Sequence, residues 1–130
     1  MNYGLKKSTY FSPIRTRIEY PTPMSFNPEY SEQSPTAEEV REFSGVTLLE
    51  FGAPWCGFCQ AAAPLVQKVM EERSGIRHIK IYDGRGKRLG RSFSVKLWPT
   101  LIVLKDGAEV TRVVRPENTD EIRQLLNSQK

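Results

Sequence analysis

Two cysteines separated by only two residues constrain this chain more than any other feature of its sequence. Cys56 and Cys59 follow an apolar run at 46–51 that is typical of a buried strand, and apolar side chains in 59–70 recur at helical spacings. The pair therefore lies at a turn between a strand and a helix. A zinc site would need four ligands, and nothing in the spacing of the cysteines and His78, the only histidine, suggests one.

A cysteine pair at the start of a helix is well placed for disulfide exchange. A thiolate is the nucleophile in disulfide exchange, and the free amide groups and dipole of a helix N-terminus stabilise negative charge. We therefore expect Cys56 to attack a disulfide. We expect Cys59, one helical turn further on, to attack the resulting mixed disulfide and release the reduced product.

Composition narrows the class of protein. The chain has 130 residues, of which 38% are hydrophobic and 26% charged, as in one globular domain. Its apolar stretches are shorter than the roughly 20 residues that cross a bilayer, and 1–25 contains no apolar block of signal-peptide length. We predict a soluble cytoplasmic protein that is not exported, in which an isolated cysteine pair favours redox chemistry. One alternative stays open, because 1–18 is basic without acidic residues, loosely like an organelle transit peptide.

The net charge of +4 is compatible with nucleic-acid binding, but no nucleic-acid-binding motif accompanies it. A basic solvated face is the preferred explanation. We expect a monomer with neither nucleic acid nor membrane as a partner.

The chain divides into an N-terminal arm at 1–34, extended or partly disordered, and a domain at 35–130. The arm is rich in proline and lacks helical periodicity, and its best strand candidate is 14–20. In the domain, Ser34 is a possible helix cap, and Thr36 with Glu39 has capping-box spacing.

The predicted elements are a helix from Ser34 to about Gly45, a strand at 46–51, a helix from Cys59 to about Ser74, a strand at 76–82, a loop at 83–90, a short helix near 92–95, a hairpin of 100–105 and 109–114 around Asp106 and Gly107, and a helix from Asn118 or Thr119. This order predicts an α/β fold, a central mixed β-sheet flanked by helices on both faces.

Several separated segments, in order, resemble the thioredoxin family over about 35–128. They are the run FGAPWCGFC at 51–59, Pro64, and the Trp98-Pro99-Thr100 segment. The resemblance implies a thioredoxin-like fold and a thiol-disulfide oxidoreductase that acts on protein disulfides and is recharged by a separate reductase. No cofactor is implied beyond the redox-active Cys56–Cys59 disulfide, and no metal.

The resemblance also implies roles for individual residues. Trp55 would shield the reactive sulfur, Pro64 would kink the active-site helix, and Pro99 would be a cis-proline facing the cysteines. The Trp98 backbone would then be free to pair with an extended substrate segment. The residues expected to support the active site or bind substrate are Trp55, Gly57, Phe58, Trp98, Pro99 and Thr100.

Glu50 lies six residues before Cys56, where the family usually places a buried aspartate beneath the resolving cysteine. We predict that Glu50 shuttles a proton to and from Cys59. The alternative is that Glu50 points to solvent from an edge strand, although its apolar neighbours favour burial.

Four positions depart from the commonest family pattern. Gly52 stands where a second tryptophan is frequent, Phe58 replaces a proline, Trp98 replaces a smaller residue, and Arg115 replaces a glycine of the substrate groove. Arg115 and a preceding basic stretch are candidates for steering acidic partners, although plain solvated loop charges remain an alternative. The stretch consists of Arg85, Lys87, Arg88, Arg91 and Lys96.

The sequence therefore favours reduction of protein disulfides through a mixed disulfide on Cys56. Two other functions stay open. The chain is alternatively a binding module that uses its aromatic and basic rim with little turnover, or a regulator whose affinity for a partner changes when Cys56 and Cys59 form a disulfide.

Overall fold

The computed structural model describes residues 26–85 and 87–129. The predicted strand at 14–20 and the transit-like stretch at 1–18 lie outside them. The helices are α1 (Ala37–Arg41), α2 (Gly57–Glu71), α3 (Arg88–Ser92) and α4 (Thr119–Asn127). The strands are β1 (Val46–Gly52), β2 (Ile76–Tyr82), β3 (Thr100–Lys105) and β4 (Ala108–Val114).

The four strands form one mixed sheet in the order β2-β1-β3-β4. β1 pairs in parallel with β2 across the α2 crossover, and β3 pairs antiparallel with both β1 and β4. The predicted turn at Asp106 and Gly107 joins β3 to β4, and both residues have positive φ. The predicted α/β mixed sheet is confirmed, with β1 at its centre.

Helices cover both faces of the sheet because the side chains of β1 alternate between two cores. Leu48 packs with α2 and α4, whereas Leu49 and Phe51 pack with α1 and α3. Glu50 and Gly52 share the face of Leu48. The face under α2 therefore carries apolar residues at one end and, towards the end where α2 begins, a carboxylate and a glycine.

Several predicted helix boundaries were wrong. α1 ends at Arg41 and not near Gly45. α1 is capped by Thr36 and not by Ser34, because Thr36 Oγ1 accepts from the Glu39 amide at 3.0 Å and Glu39 Oε1 accepts from the Thr36 amide at 2.9 Å. The short third helix begins at Arg88, inside the predicted loop, and ends at Ser92. Gly90 lies within this helix, and its missing side chain lets the Asp83 carboxylate approach closely.

Residues 26–34, the N-terminal segment, lie along the outer edge of β2. Ser31 forms a parallel bridge with Ile81: its amide donates to Lys80 O at 3.1 Å, and its carbonyl accepts from the Tyr82 amide at 2.9 Å. Phe26 packs against the core under α2. The division of the chain at residue 34 stays a prediction, but this segment is part of the packed structure. Within the described residues, no helix is both long and apolar enough to span a bilayer.

Candidate active site

Cys56 is the N-cap of α2. Its backbone is extended, with φ −81° and ψ 122°, and its sulfur accepts a hydrogen bond from the Cys59 amide at 3.2 Å. An amide aimed at the sulfur, together with the helix dipole, stabilises the thiolate. The sulfur borders an open groove, and the residue is 8% exposed. Cys56 is therefore placed to act as a nucleophile.

Cys59 lies one turn into α2 and faces the sheet, with 3% of its surface exposed. Burial and a hydrogen bond with the Cys56 thiol raise the pKa of Cys59 to about 11, although contacts with the Ala53 backbone and the Tyr30 hydroxyl oppose that rise. Both cysteines are present as free thiols. At neutral pH Cys59 is a thiol, which must lose its proton before it can attack.

Two tryptophans flank the groove above Cys56. Trp55 is 64% exposed, its indole donates to the Tyr82 hydroxyl at 2.9 Å, and its ring meets the Trp98 ring edge-on at 5.5 Å. Trp98 donates to Asp83 Oδ2 at 3.0 Å. Tyr82 at the end of β2 and Asp83 directly after it thus hold both indole rings in place. The groove is lined by Trp55, Cys56, Gly57, Lys96, Leu97, Trp98 and Arg115.

The Trp98–Pro99 peptide bond is cis, so that predicted geometry is confirmed. Pro99 is buried directly before β3. The neighbouring Thr100 is also buried, and its hydroxyl donates to Leu97 O at 2.6 Å, which braces the loop along the groove. Gly57 stands at the first turn of α2 with open space where a side chain would begin.

Arg115 bears on one expectation about the groove. Its Nε donates to the Trp98 carbonyl at 2.8 Å, so one of the two lone pairs of that carbonyl is already used within the protein. Pairing of the Trp98 backbone with a substrate segment stays a prediction. Its guanidinium also lies 3.9 Å from the centre of the Phe58 ring, within the range of a cation–π contact. Arg115 has φ of 51°, which explains why glycine suits this position in the family. We call Trp55, Phe58, Leu97 and Arg115 the rim.

Glu50 lies beneath α2 and is fully buried. Its strand has neighbours on both sides, so the alternative of an outward-pointing glutamate on an edge strand was wrong. Tyr30 donates to Glu50 Oε2 at 3.0 Å, and His78 Nε2 lies 2.8 Å from Oε1. His78 Nδ1 accepts from the Asn27 amide at 2.9 Å, so in the neutral ring Nε2 carries the hydrogen and donates to Glu50.

Gly52 lets these groups reach the resolving cysteine. A Cβ on Gly52 would lie 2.6 Å from both Cys59 Sγ and the Tyr30 hydroxyl oxygen. The phenol therefore occupies space that a larger residue at 52 would fill. We call Tyr30, Glu50, Cys59 and His78 the floor.

Sequence reasoning missed Tyr30 as a site residue and considered His78 only as a zinc ligand. The one available signal for Tyr30 was Gly52, because a glycine in place of a bulky residue leaves a volume that another side chain must fill. The irregular segment around Tyr30 gave no indication of which side chain that is.

Of the basic stretch, Lys96 reaches the groove together with Arg115. Lys87 instead lies over the Tyr82 ring at 5.8 Å and 4.0 Å from Glu32. Among the described residues, positive charge at the groove therefore comes from Lys96 and Arg115, one on each side of Trp98 in the sequence.

The class of the protein follows from where the cysteine pair lies: one sulfur caps a helix beside an open groove and the other is buried behind it, on a mixed sheet with helices on both faces. That arrangement defines the protein as a thiol-disulfide oxidoreductase of thioredoxin-like fold. The thioredoxin family model matches residues 29–128, and the chain belongs to the thioredoxin family.

Individual relatives are also thioredoxins. The chain is 33% identical to the thioredoxin of Chlamydia caviae, with 71% of this chain and 92% of that protein covered. It is 31% identical to the thioredoxin of Listeria monocytogenes, over 68% of this chain and 87% of the relative. Reduced thioredoxin 2 from Pseudomonas aeruginosa has a similar structure, with a TM-score of 0.70, 48% identity, and coverage of 76% of this chain and 92% of that chain. Thioredoxins use their own cysteine pair and need no external cofactor.

Proposed function

We propose that this oxidoreductase works mainly as a reductant of protein disulfides. The observation that carries the proposal is the asymmetry of the pair: Cys56 receives a helix amide beside an open groove, whereas burial raises the pKa of Cys59 to about 11. One sulfur is suited to capture, and the other to a second step that needs deprotonation. The reducing direction rests on the expected cytoplasmic location, where thiols are kept reduced.

The reaction balances in two exchanges. The Cys56 thiolate attacks one sulfur of the substrate disulfide, forms a mixed disulfide and expels the other substrate sulfur as a thiolate. Deprotonated Cys59 then attacks Cys56 Sγ, so the second substrate sulfur leaves and the Cys56–Cys59 disulfide forms. Two electrons pass to the substrate, whose two thiolates take up protons. A separate reductase returns two electrons to the pair.

Glu50 is the proposed proton acceptor for Cys59. It is the buried carboxylate of the floor, and its two oxygens accept from Tyr30 and His78. A buried carboxylate held this way can take a proton without moving.

The rim supports a protein substrate. Trp55 and Phe58 are 64% and 57% exposed, and Leu97 is also exposed, so the rim offers apolar contact. Lys96 and Arg115 add positive charge at the groove. We propose that the preferred substrate segment carries apolar and acidic residues next to its disulfide.

The test compares reduction of a model protein disulfide by wild type, Cys56→Ser and Cys59→Ser, each fully reduced beforehand and then freed of reductant, so that every molecule can act once. We expect Cys56→Ser to be inactive and Cys59→Ser to accumulate a covalent substrate adduct visible by mass spectrometry. Equal activity in all three proteins would rule out the mechanism.

A second candidate, a binding module with little turnover, is favoured by one observation: Arg115 already holds the Trp98 carbonyl that a substrate strand would use. This function predicts that a Cys56→Ser, Cys59→Ser double variant keeps its partners with unchanged affinity. The reductase predicts that covalent capture disappears in that variant.

A further inference from the structure

A continuous line of polar atoms leads from the resolving cysteine into the protein. The Tyr30 hydroxyl and Cys59 Sγ are neighbours, since both approach the Cβ position of Gly52 to 2.6 Å. The same hydroxyl donates to Glu50 Oε2 at 3.0 Å. Tyr30 therefore stands between the thiol that must lose a proton and the carboxylate proposed to receive it.

The hydrogen-bond directions along this line are defined. The Asn27 amide occupies His78 Nδ1, so His78 donates through Nε2 to one oxygen of Glu50, and Tyr30 donates to the other. Both donors are aimed at a carboxylate, which can only accept. With its own hydrogen on Glu50, the Tyr30 oxygen keeps lone pairs free for a hydrogen from the Cys59 thiol.

Tyr30 is held in this position from its other side. Lys80 places its ammonium group 4.3 Å from the centre of the Tyr30 ring, and the same group donates to Pro28 O at 3.0 Å. Burial and the nearby Glu50 carboxylate raise the pKa of Tyr30 far above its ordinary value. The phenol therefore stays neutral, so it can pass a proton on but does not store negative charge.

We propose that Tyr30 relays the proton from Cys59 to Glu50 during resolution of the mixed disulfide, an inference that rests on the proposed function. The Cys59 S–H proton moves to the Tyr30 oxygen while the Tyr30 O–H proton moves to Glu50. A thiol and a carboxylate become a thiolate and a carboxylic acid, and the phenol is neutral before and after. The thiolate then attacks Cys56 Sγ as described above.

Solvent is the competing proton acceptor, because a cleft between the N-terminal segment and α2 also reaches Cys59. Among the described residues, the titratable groups that face this line or the cleft are Cys56 at the N-cap of α2, His78 and Lys80 from β2, and Glu29 and Tyr30 itself from the N-terminal segment. Among the described residues, the pairing partner of Glu50 on β3 is the apolar Leu101. A test must therefore separate Tyr30 from water.

The experiment is a single-turnover reaction of Tyr30→Phe with a peptide that contains one disulfide, quenched in acid and followed by mass spectrometry. The substitution keeps the ring and removes only the hydroxyl. We expect adduct formation at the wild-type rate and adduct resolution at least about 10-fold slower at pH 7, since general acid–base catalysis typically contributes about 10²–10⁴-fold and solvent can replace part of it. The deficit should shrink as pH rises towards the Cys59 pKa of about 11, where hydroxide replaces the relay.

Tyr82→Phe is the matched control, since it removes a hydroxyl that contacts Trp55 on the rim. Any change in that variant should fall on adduct formation. Wild-type resolution in mixtures of H2O and D2O gives an independent readout that does not depend on a variant folding. Two protons moving together predict a curved dependence on the deuterium fraction.

A resolution deficit in Tyr30→Phe that is equal at every pH, or a wild-type rate of resolution, would overturn the relay. A linear dependence on deuterium fraction would do the same. These outcomes differ from failure of the proposed function, in which Cys59→Ser would accumulate no adduct at all.

Discussion

The rim and the floor lie on opposite sides of the same cysteine pair and are built on different principles. Rim residues are exposed or half-buried and are held by contacts that leave their faces available to a partner, such as the stacking of Arg115 on Phe58. Floor residues are mostly buried, and the polar side chains of Tyr30, Glu50 and His78 are joined by hydrogen bonds. Rim residues can be replaced one at a time to suit a different substrate. A floor residue cannot be replaced alone, because its hydrogen-bond partners would lose their contacts.

This contrast predicts that substitutions in the rim and in the floor affect different steps of the reaction. Substitutions in the rim should change capture of the substrate and leave the free energy of unfolding nearly unchanged, because exposed side chains contribute little to it. Substitutions in the floor should change both stability and the resolving step, since a buried donor without its acceptor is costly.

Glu50→Leu should have the largest effect on stability. It leaves the Tyr30 hydroxyl and His78 Nε2 without their acceptor, at about 1–3 kcal/mol for each buried donor. We expect the free energy of unfolding, measured by urea denaturation, to fall by about 2–6 kcal/mol. Phe58→Ala is the rim control and should change it by no more than about 0.5 kcal/mol. An unchanged or more stable Glu50→Leu protein would contradict the contrast.

Gly52→Ala should have the next largest effect on stability. Its Cβ would lie 2.6 Å from Cys59 Sγ and the Tyr30 hydroxyl, so one of them must move, at a cost of about 1–3 kcal/mol typical of overpacking. Gly57→Ala is a matched control, because nothing lies within 4 Å of its Cβ position. On a helix it should be neutral or stabilising by up to about 1 kcal/mol. Thermal denaturation of both variants measures the difference, and equal melting temperatures would show that the floor is not tightly packed.

The floor should also give stability a pH dependence. Burial raises the pKa of Cys59 to about 11, whereas a thiol in the unfolded chain titrates near about 8.5. Between these values the folded protein holds a proton that the unfolded chain has lost, so the free energy of unfolding falls as pH rises, by at most about 1.4 kcal/mol per pH unit. Tyr30 contributes with the same sign at still higher pH.

The reduced wild type is compared with Cys59→Ala by urea denaturation from pH 8 to pH 11. The difference in unfolding free energy between the two proteins should shrink with increasing pH. A constant difference across this range would mean that Cys59 titrates as an ordinary exposed thiol.

Apart from the control variants, Arg115→Met should have the smallest effect on stability. It removes the cation–π contact with Phe58 and the hydrogen bond to the Trp98 carbonyl, and we expect a loss of about 0.5–1 kcal/mol. Its effect on function should be selective: capture of a peptide with acidic residues beside the disulfide slows, and the salt dependence of that rate weakens. Equal slowing with a basic peptide would show that Arg115 does not select by charge.

The sequence predicted the parts of this molecule that depend on local patterns. Strands at 76–82 and 100–105 and a helix start at Asn118 or Thr119 follow from alternation and capping. The structure has both strands at those positions and begins α4 at Thr119, with Asn118 as its N-cap. The cysteine pair could be assigned because strand, turn and helix follow one another directly in the chain.

What could not be predicted depends on contacts between distant parts of the sequence. Tyr30 meets Glu50 across 20 positions, and His78 meets Glu50 across 28, and neither pairing leaves a periodic signal. Arg115 similarly reaches the Trp98 carbonyl across 17 positions. The rim and the floor were therefore visible as residue types but not as hydrogen-bonded sets.

The most direct test of the division between rim and floor measures capture and resolution separately in two variants, by the acid-quenched single-turnover reaction. We predict that Glu50→Gln forms the Cys56 adduct at the wild-type rate and resolves it slowly, whereas Arg115→Met forms the adduct slowly and resolves it at the wild-type rate. If both variants slow the same step to the same extent, the floor does not control resolution and the account is wrong.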